Sequence, residues 1–132
     1  MKLKLIEEKG AHVLDIEGEV DLRGFKILKA GIAKLLKDGK NKMILDFSRT
    51  PKIDPGCLRE LAELNLIARE LSGEILLASL SPMMRMNIEN LGKPSALTCF
   101  PSRAAALTIL TRMGQEPEDE EEDEDTKGMG VE

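Results

Sequence analysis

Two adjoining stretches, Met43-Ile44-Leu45-Asp46-Phe47 and Lys52-Ile53-Asp54-Pro55-Gly56-Cys57-Leu58, decide the fold. The first is a short apolar run, too compact for a helix, and it predicts a buried central strand. The second predicts a helix start. Asp54 is a good N-cap because its carboxylate accepts from the free N–H groups of the first turn. Pro55 suits the first helical position, where its missing N–H costs nothing. A strand-loop-helix junction of this kind exposes backbone donors at the positive end of a helix, which favours an anion or a phosphorylated group. Yet no hydroxyl lies between Asp54 and Leu58, so the junction has no group of its own to carry a phosphate.

Working outward, the hydrophobic period changes along the chain. Leu3, Leu5 and Ile6 predict a first strand, Gly10 a turn, and His12–Glu17 a second strand with Leu14 and Ile16 on one face. From Leu22, Phe25, Leu28, Ile32, Leu35 and Leu36 recur at helical spacing, with lysines largely opposite and Gly39 as the stop. Gly31 is a weak point in this helix or a place of close packing. Beyond the Asp54-Pro55 junction a helix is expected to about Ser72, with Cys57, Leu61, Leu64, Ala68 and Leu71 inward and Gly73 at its end. Glu74–Ala78 is another buried strand. Ser81 then caps a helix with Pro82 first, Met84, Ile88 and Leu91 inside and Gly92 as the stop. Ala96–Phe100 is a short strand, and Pro101-Ser102 opens a last helix carrying Ala105, Ile109 and Leu110. The order β-β-α-β-α-β-α-β-α implies a single α/β domain. Its mixed, mostly parallel sheet has about five strands with about four helices, right-handed crossovers and an antiparallel hairpin at one edge.

Composition narrows the function. At 132 residues the chain fits one domain able to bury its own core. Tryptophan and tyrosine are absent and there are three phenylalanines, so Leu, Ile, Ala and Met must build the core and aromatic stacking platforms are lacking. No apolar run reaches the length of a membrane span and no signal-peptide core follows Met1, which points to a cytoplasmic protein. The net charge of −5 is unevenly spread: nine carboxylates fall between Glu116 and Asp125, whereas residues 1–115 hold 18 Lys and Arg against 14 Asp and Glu. Residues 1–113 are therefore expected as the folded domain and 114–132 as a disordered acidic tail, solubilising or screening a basic face.

Catalytic chemistry is poorly supplied. His12 is the only histidine and sits mid-strand, expected at the sheet edge, and no Ser or Cys lies in a nucleophile elbow. Cys57 and Cys99 lack ligand-spaced neighbours and read as free thiols. The glycines are isolated, so no phosphate-cradling loop is present. Asp15, Asp21, Asp46 and Asp54 invite comparison with a metal pocket, but Asp46 lies in an apolar strand and Asp54 has a capping role. The lysine-rich face of the first helix lacks the aromatics that nucleic-acid binding would want. Met83, Met84 and Met86 divide between core filling and an adaptable partner surface. No enzyme activity, cofactor, metal or nucleic acid is expected.

The same residues carry a family resemblance. Gly18-Glu19-Val20-Asp21, Met43–Ser48, Ile53-Asp54, Leu58, Leu80-Ser81-Pro82 and Leu91-Gly92, in this order over residues 2–112, resemble the STAS domain of bacterial anti-sigma-factor antagonists and sulfate-transporter tails. In that family the junction usually reads Asp-Ser-Ser-Gly-Leu. A kinase that is also the anti-sigma factor phosphorylates the second serine, and the phosphate breaks the complex. Here Asp54 and Leu58 match, whereas Pro55 replaces the first serine, Gly56 the phosphoacceptor and Cys57 the glycine. The resemblance thus implies a degenerate acceptor motif, with Ser48 and Thr50 as weak substitutes upstream. It implies a protein-interaction module that meets an anti-sigma, serine-kinase-like partner through Asp21, Thr50, Asp54, Pro55, Gly56, Cys57 and Arg59. The alternative it implies is a structural or regulatory subunit of an ABC transporter or a stress-signalling scaffold. A homodimer is compatible with either, and direct membrane insertion with neither.

Overall fold

The computed structural model describes residues 1–91 and 97–115, up to residue 112 with side-chain detail. Strands β1 (Lys2–Glu8) and β2 (Ala11–Glu17) form a hairpin, followed by α1 (Leu22–Lys37), β3 (Lys42–Arg49), α2 (Pro55–Glu70), β4 (Glu74–Ala78), α3 (Pro82–Glu89), β5 (Thr98–Phe100) and α4 (Arg103–Gln115). The five strands stand in the order β1-β2-β3-β4-β5. β1 is antiparallel to β2 and every other pair is parallel. The order and the mixed sheet read from the hydrophobic period are those observed. The acidic stretch from Glu116 lies outside the described residues, as do Gly92 and Ala96. Helix α4 continues two residues past the expected boundary at 113.

The two sheet faces are covered differently. Leu14, Ile16, Leu45, Phe47, Ile75 and Leu77 pack under α1, α2 and α3, and the buried row of α1 is the expected Phe25, Leu28, Ile32 and Leu35. On the other face Val13, Ile44, Leu76 and Ala78 meet α4. β3 and β4 are buried on both sides, which is why they read as continuous apolar runs. Gly24 and Gly31 lie one heptad apart on α1. A Cβ on Gly24 would meet Met1 at 3.5 Å and one on Gly31 would meet Leu3 at 3.2 Å, so Gly31 marks close packing against β1.

Several details differ from the sequence reading. Leu71 is 47% exposed because α2 ends at Glu70, and the buried row gains Leu58 and Asn65 instead. Asn65 is a polar tie between layers: its Oδ1 accepts from Ile75 N at 2.7 Å and its Nδ2 donates to Glu74 at 3.0 Å. Arg69 grips the same Glu74 carboxylate with Nε and Nη2, and this pairing pushes the guanidinium pKa up. Gly73 does not supply the left-handed residue at the helix end, since Ser72 takes it with φ +64°. Any Cβ on Gly73 would collide with the backbone of Asn41. In α4 the inward residues are Ala106, Leu107 and Leu110, one step round from Ala105 and Ile109. His12 belongs to the second strand in from the edge, 3.6 Å from Glu7 across the hairpin.

Candidate functional site

The junction is built by two loops at the ends of β2 and β3. Val20 and Ile53 form an isolated parallel bridge, with Val20 N donating to Lys52 O at 2.9 Å and Asp54 N donating to Val20 O at 3.0 Å. Gly18 N donates to Arg49 O at 3.0 Å. Two apolar side chains with opposed backbones thus hold the Gly18–Asp21 loop against the Lys52–Asp54 loop, although 33 residues of sequence separate Val20 from Ile53. Two carboxylates cap two helices side by side: Asp21 Oδ1 accepts from Gly24 N at 2.7 Å and Asp54 Oδ1 from Gly56 N at 2.8 Å. Between them opens a cleft of about 210 Å³ lined by Glu19, Val20, Asp21, Lys52, Asp54 and Pro55. Three carboxylates against one lysine make it acidic.

The start of α2 contradicts the idea of an anion site. Pro55 has no N–H, Gly56 N is taken by Asp54 Oδ1, and Cys57 N donates to Asp54 O at 2.9 Å. The donors that a phosphate would use are consumed within the turn, and three carboxylates surround the opening. Gly56 itself is exposed and has no positive φ. A Cβ there would stand 3.2 Å from Asp54 Oδ1, which a small shift of that side chain relieves.

The candidate residues separate by exposure. Asp21, Pro55, Gly56 and Arg59 are exposed and Asp54 is half-buried at the cleft. Thr50 is buried, and its hydroxyl donates to Ile16 O at 2.7 Å, so it works as an internal tie and presents no acceptor hydroxyl to solvent. Cys57 points into the core. Burial first, then Asp54, Glu60 and Asp21, push its thiol pKa up to about 11, which leaves it a protonated, unreactive core residue. Cys99 is also free, its pKa raised by burial against an opposing contribution from Arg85. Ser48 is exposed, and its backbone N–H donates to Asp46 Oδ1 at 3.0 Å.

The carboxylates that invited a metal have other employment. Asp46 accepts from Arg103 Nε at 2.9 Å, and the same guanidinium stands 3.8 Å from Asp15 and 3.8 Å from Glu8. Arg49 adds approaches to Asp15 and Glu17 at 4.0 and 3.8 Å. Sequence reading missed this cluster, in which Asp46 and Arg103 alone are 57 residues apart. Glu19 and Lys52 fall within the Gly18–Asp21 and Ser48–Cys57 stretches that the sequence offers for docking, and the fold brings the two stretches to one cleft. Met84 is buried, whereas Met83 and Met86 are 69% and 57% exposed on the outer side of α3.

Comparison with known proteins agrees with this architecture. The family profile described as "Mlab, STAS domain" matches residues 5–93. The "Putative anti-sigma factor antagonist BtrV" of Bordetella bronchiseptica is 28% identical over 110 residues, covering 83% of this chain and 95% of that protein. Among solved structures, an anti-sigma factor antagonist from Mycobacterium paratuberculosis superposes with a TM-score of 0.73 at 20% identity, covering 83% of this chain and 92% of that one. The anti-sigma factor antagonist SpoIIAA in its unphosphorylated form gives 0.66 at 18% identity, covering 84% and 98%. At those identities the two structures speak for the fold alone. With the profile spanning most of the folded residues and the observed sheet and junction, the chain belongs to the STAS domain family.

Proposed function

We propose that this chain is a non-catalytic interaction module of the anti-sigma-factor antagonist type, working in the cytoplasm and docking a serine-kinase-like anti-sigma partner in a fixed state. The docking surface is the acidic cleft of Glu19, Asp21 and Asp54, continued by Pro55, Gly56 and Arg59 on the exposed side of α2. One observation supports the reading: the start of α2 has no donor left for a phosphate. The family resemblance adds that Gly56 stands where an acceptor serine is expected. Binding therefore has no covalent off-switch at this position, and an acidic cleft favours a partner that brings Arg or Lys to it.

The test is affinity capture from the native host with wild type, Gly56→Glu and Gly56→Ser. The wild type is expected to retain a kinase-type ATPase, and Gly56→Glu to lose it, because a fourth carboxylate crowds a cleft that already carries three. Equal recovery by wild type and Gly56→Glu would remove the junction from the interface. A second reading, the regulatory subunit of an ABC transporter, draws on the same missing hydroxyl, since such a subunit needs no phosphorylation cycle. Retention of a membrane-transport ATPase instead of a soluble kinase would select it.

A further inference from the structure

The free edge of β1 carries a pattern that the junction does not use. β1 is the outermost strand, seven residues long and, among the described residues, paired on one side only. Its hairpin closes through Lys9 and Gly10, both at positive φ (+53° and +81°), on the pair Glu8↔Ala11. A two-residue turn of this kind closes on a hydrogen-bonded pair, and such pairs alternate along an antiparallel ladder. Lys2, Lys4, Ile6 and Glu8 therefore bond to β2, while Leu3, Leu5 and Glu7 aim their N–H and C=O groups outward. Unpaired edges of this length are usually blunted or covered. Here Leu5, in the middle of the strand, is 51% exposed, and Ile27 on neighbouring α1 is 57% exposed.

We propose that β1 pairs antiparallel with β1 of a second copy of this chain, about a two-fold axis through Leu5, joining the two sheets into one. Register selects this arrangement. Only alignments that set outward residues against outward residues can form bonds, so the choice is among a dyad at Lys4, Leu5 or Ile6. A dyad at Lys4 opposes Lys4 to its own copy, and like charges directly opposite are unfavourable. A dyad at Ile6 carries Leu3 onto the turn at Lys9 and leaves its groups unpaired. The dyad at Leu5 pairs every outward N–H and C=O of Leu3, Leu5 and Glu7. It sets Leu5 on Leu5 on the α1 side and Lys2 against Glu8 twice on the α4 side, so the edge is complementary in charge to itself. The surface lies on β1, none of whose residues line the acidic cleft, and the inference stands whether or not the proposed partner is correct.

Sedimentation velocity of the full chain over a concentration series tests it. A concentration-dependent dimer is expected. Leu5→Pro deletes an outward N–H in each copy without touching the bonds to β2, so it should raise the dimer dissociation constant about 10- to 100-fold. Its thermal melt should stay near that of the wild type. Lys2→Glu sets Glu against Glu8 and should weaken the dimer, whereas Lys2→Arg, which keeps the charge and leaves Glu8 beside Arg103, should not. A chain that stays monomeric at millimolar concentration overturns the proposal, as does a dimer indifferent to Leu5→Pro or one weakened as much by Lys2→Arg as by Lys2→Glu.

Discussion

Gly56 and Cys57 sit next to each other and have opposite surroundings: one is on the surface with room for a side chain, the other is sealed in the core. Gly56→Ser should fold and cost no more than about 1 kcal/mol by urea denaturation, because the new Cβ meets the capping Asp54 Oδ1 at 3.2 Å and the cap must shift to admit it. Cys57, its thiol raised from 9.0 to about 11, should resist iodoacetamide at pH 8 in the native chain and react once urea unfolds it. Equal labelling rates in both states would place the thiol at the surface. The raised value also has a pH consequence. The folded state holds the proton more tightly than the unfolded chain, so this contribution to stability is complete below pH 9 and is lost as pH rises from 9 towards 11. Denaturation midpoints of wild type and Cys57→Ala should diverge less at pH 10 than at pH 8.

At the scale of elements, the α2–β4 connection depends on groups whose partners are far from obvious in the sequence. Asn65 bridges the helix to Ile75 N and Glu74, so Asn65→Ala strands a buried backbone donor and should cost about 1–3 kcal/mol in urea denaturation. Gly73 was legible as the end of the helix, but its necessity comes from the backbone of Asn41 lying against it. Gly73→Ala should therefore cost about 3 kcal/mol, the upper range for overpacking, whereas a glycine needed only as a helix stop would show about 1 kcal/mol. The residues misplaced by period alone, Leu71 and the inner face of α4, fall at helix ends or on a short, weakly patterned helix. There one step of rotation changes which side chain is buried.

For the whole molecule, α4 is the only described helix on its face of the sheet, and its first residue ties that face together. Arg103 reaches Asp46 on β3, Asp15 on β2 and Glu8 on β1. Arg103→Ala leaves Asp46 buried with only the Ser48 N–H as donor, and on the order of 3 kcal/mol of stability should be lost. The loss should fall when Asp46→Asn is added, because the amide removes the unpaired charge. A double variant as unstable as the sum of the two single changes would show that Arg103 acts by packing alone.

The element order, the caps at Asp54 and Ser81, the buried runs of β3 and β4 and the missing hydroxyl at position 56 are all legible in the chain without its fold. Each is a local matter of period, capping chemistry or side-chain inventory. That Val20 and Ile53 bring two capping carboxylates to one cleft, and that Thr50 and Cys57 turn inward, emerges only with the packed fold. So do the reach of Arg103 to Asp46 across the sheet and the place of β1 at its edge. These depend on which strands become neighbours, and burial and pairing across a sheet leave no local period to read.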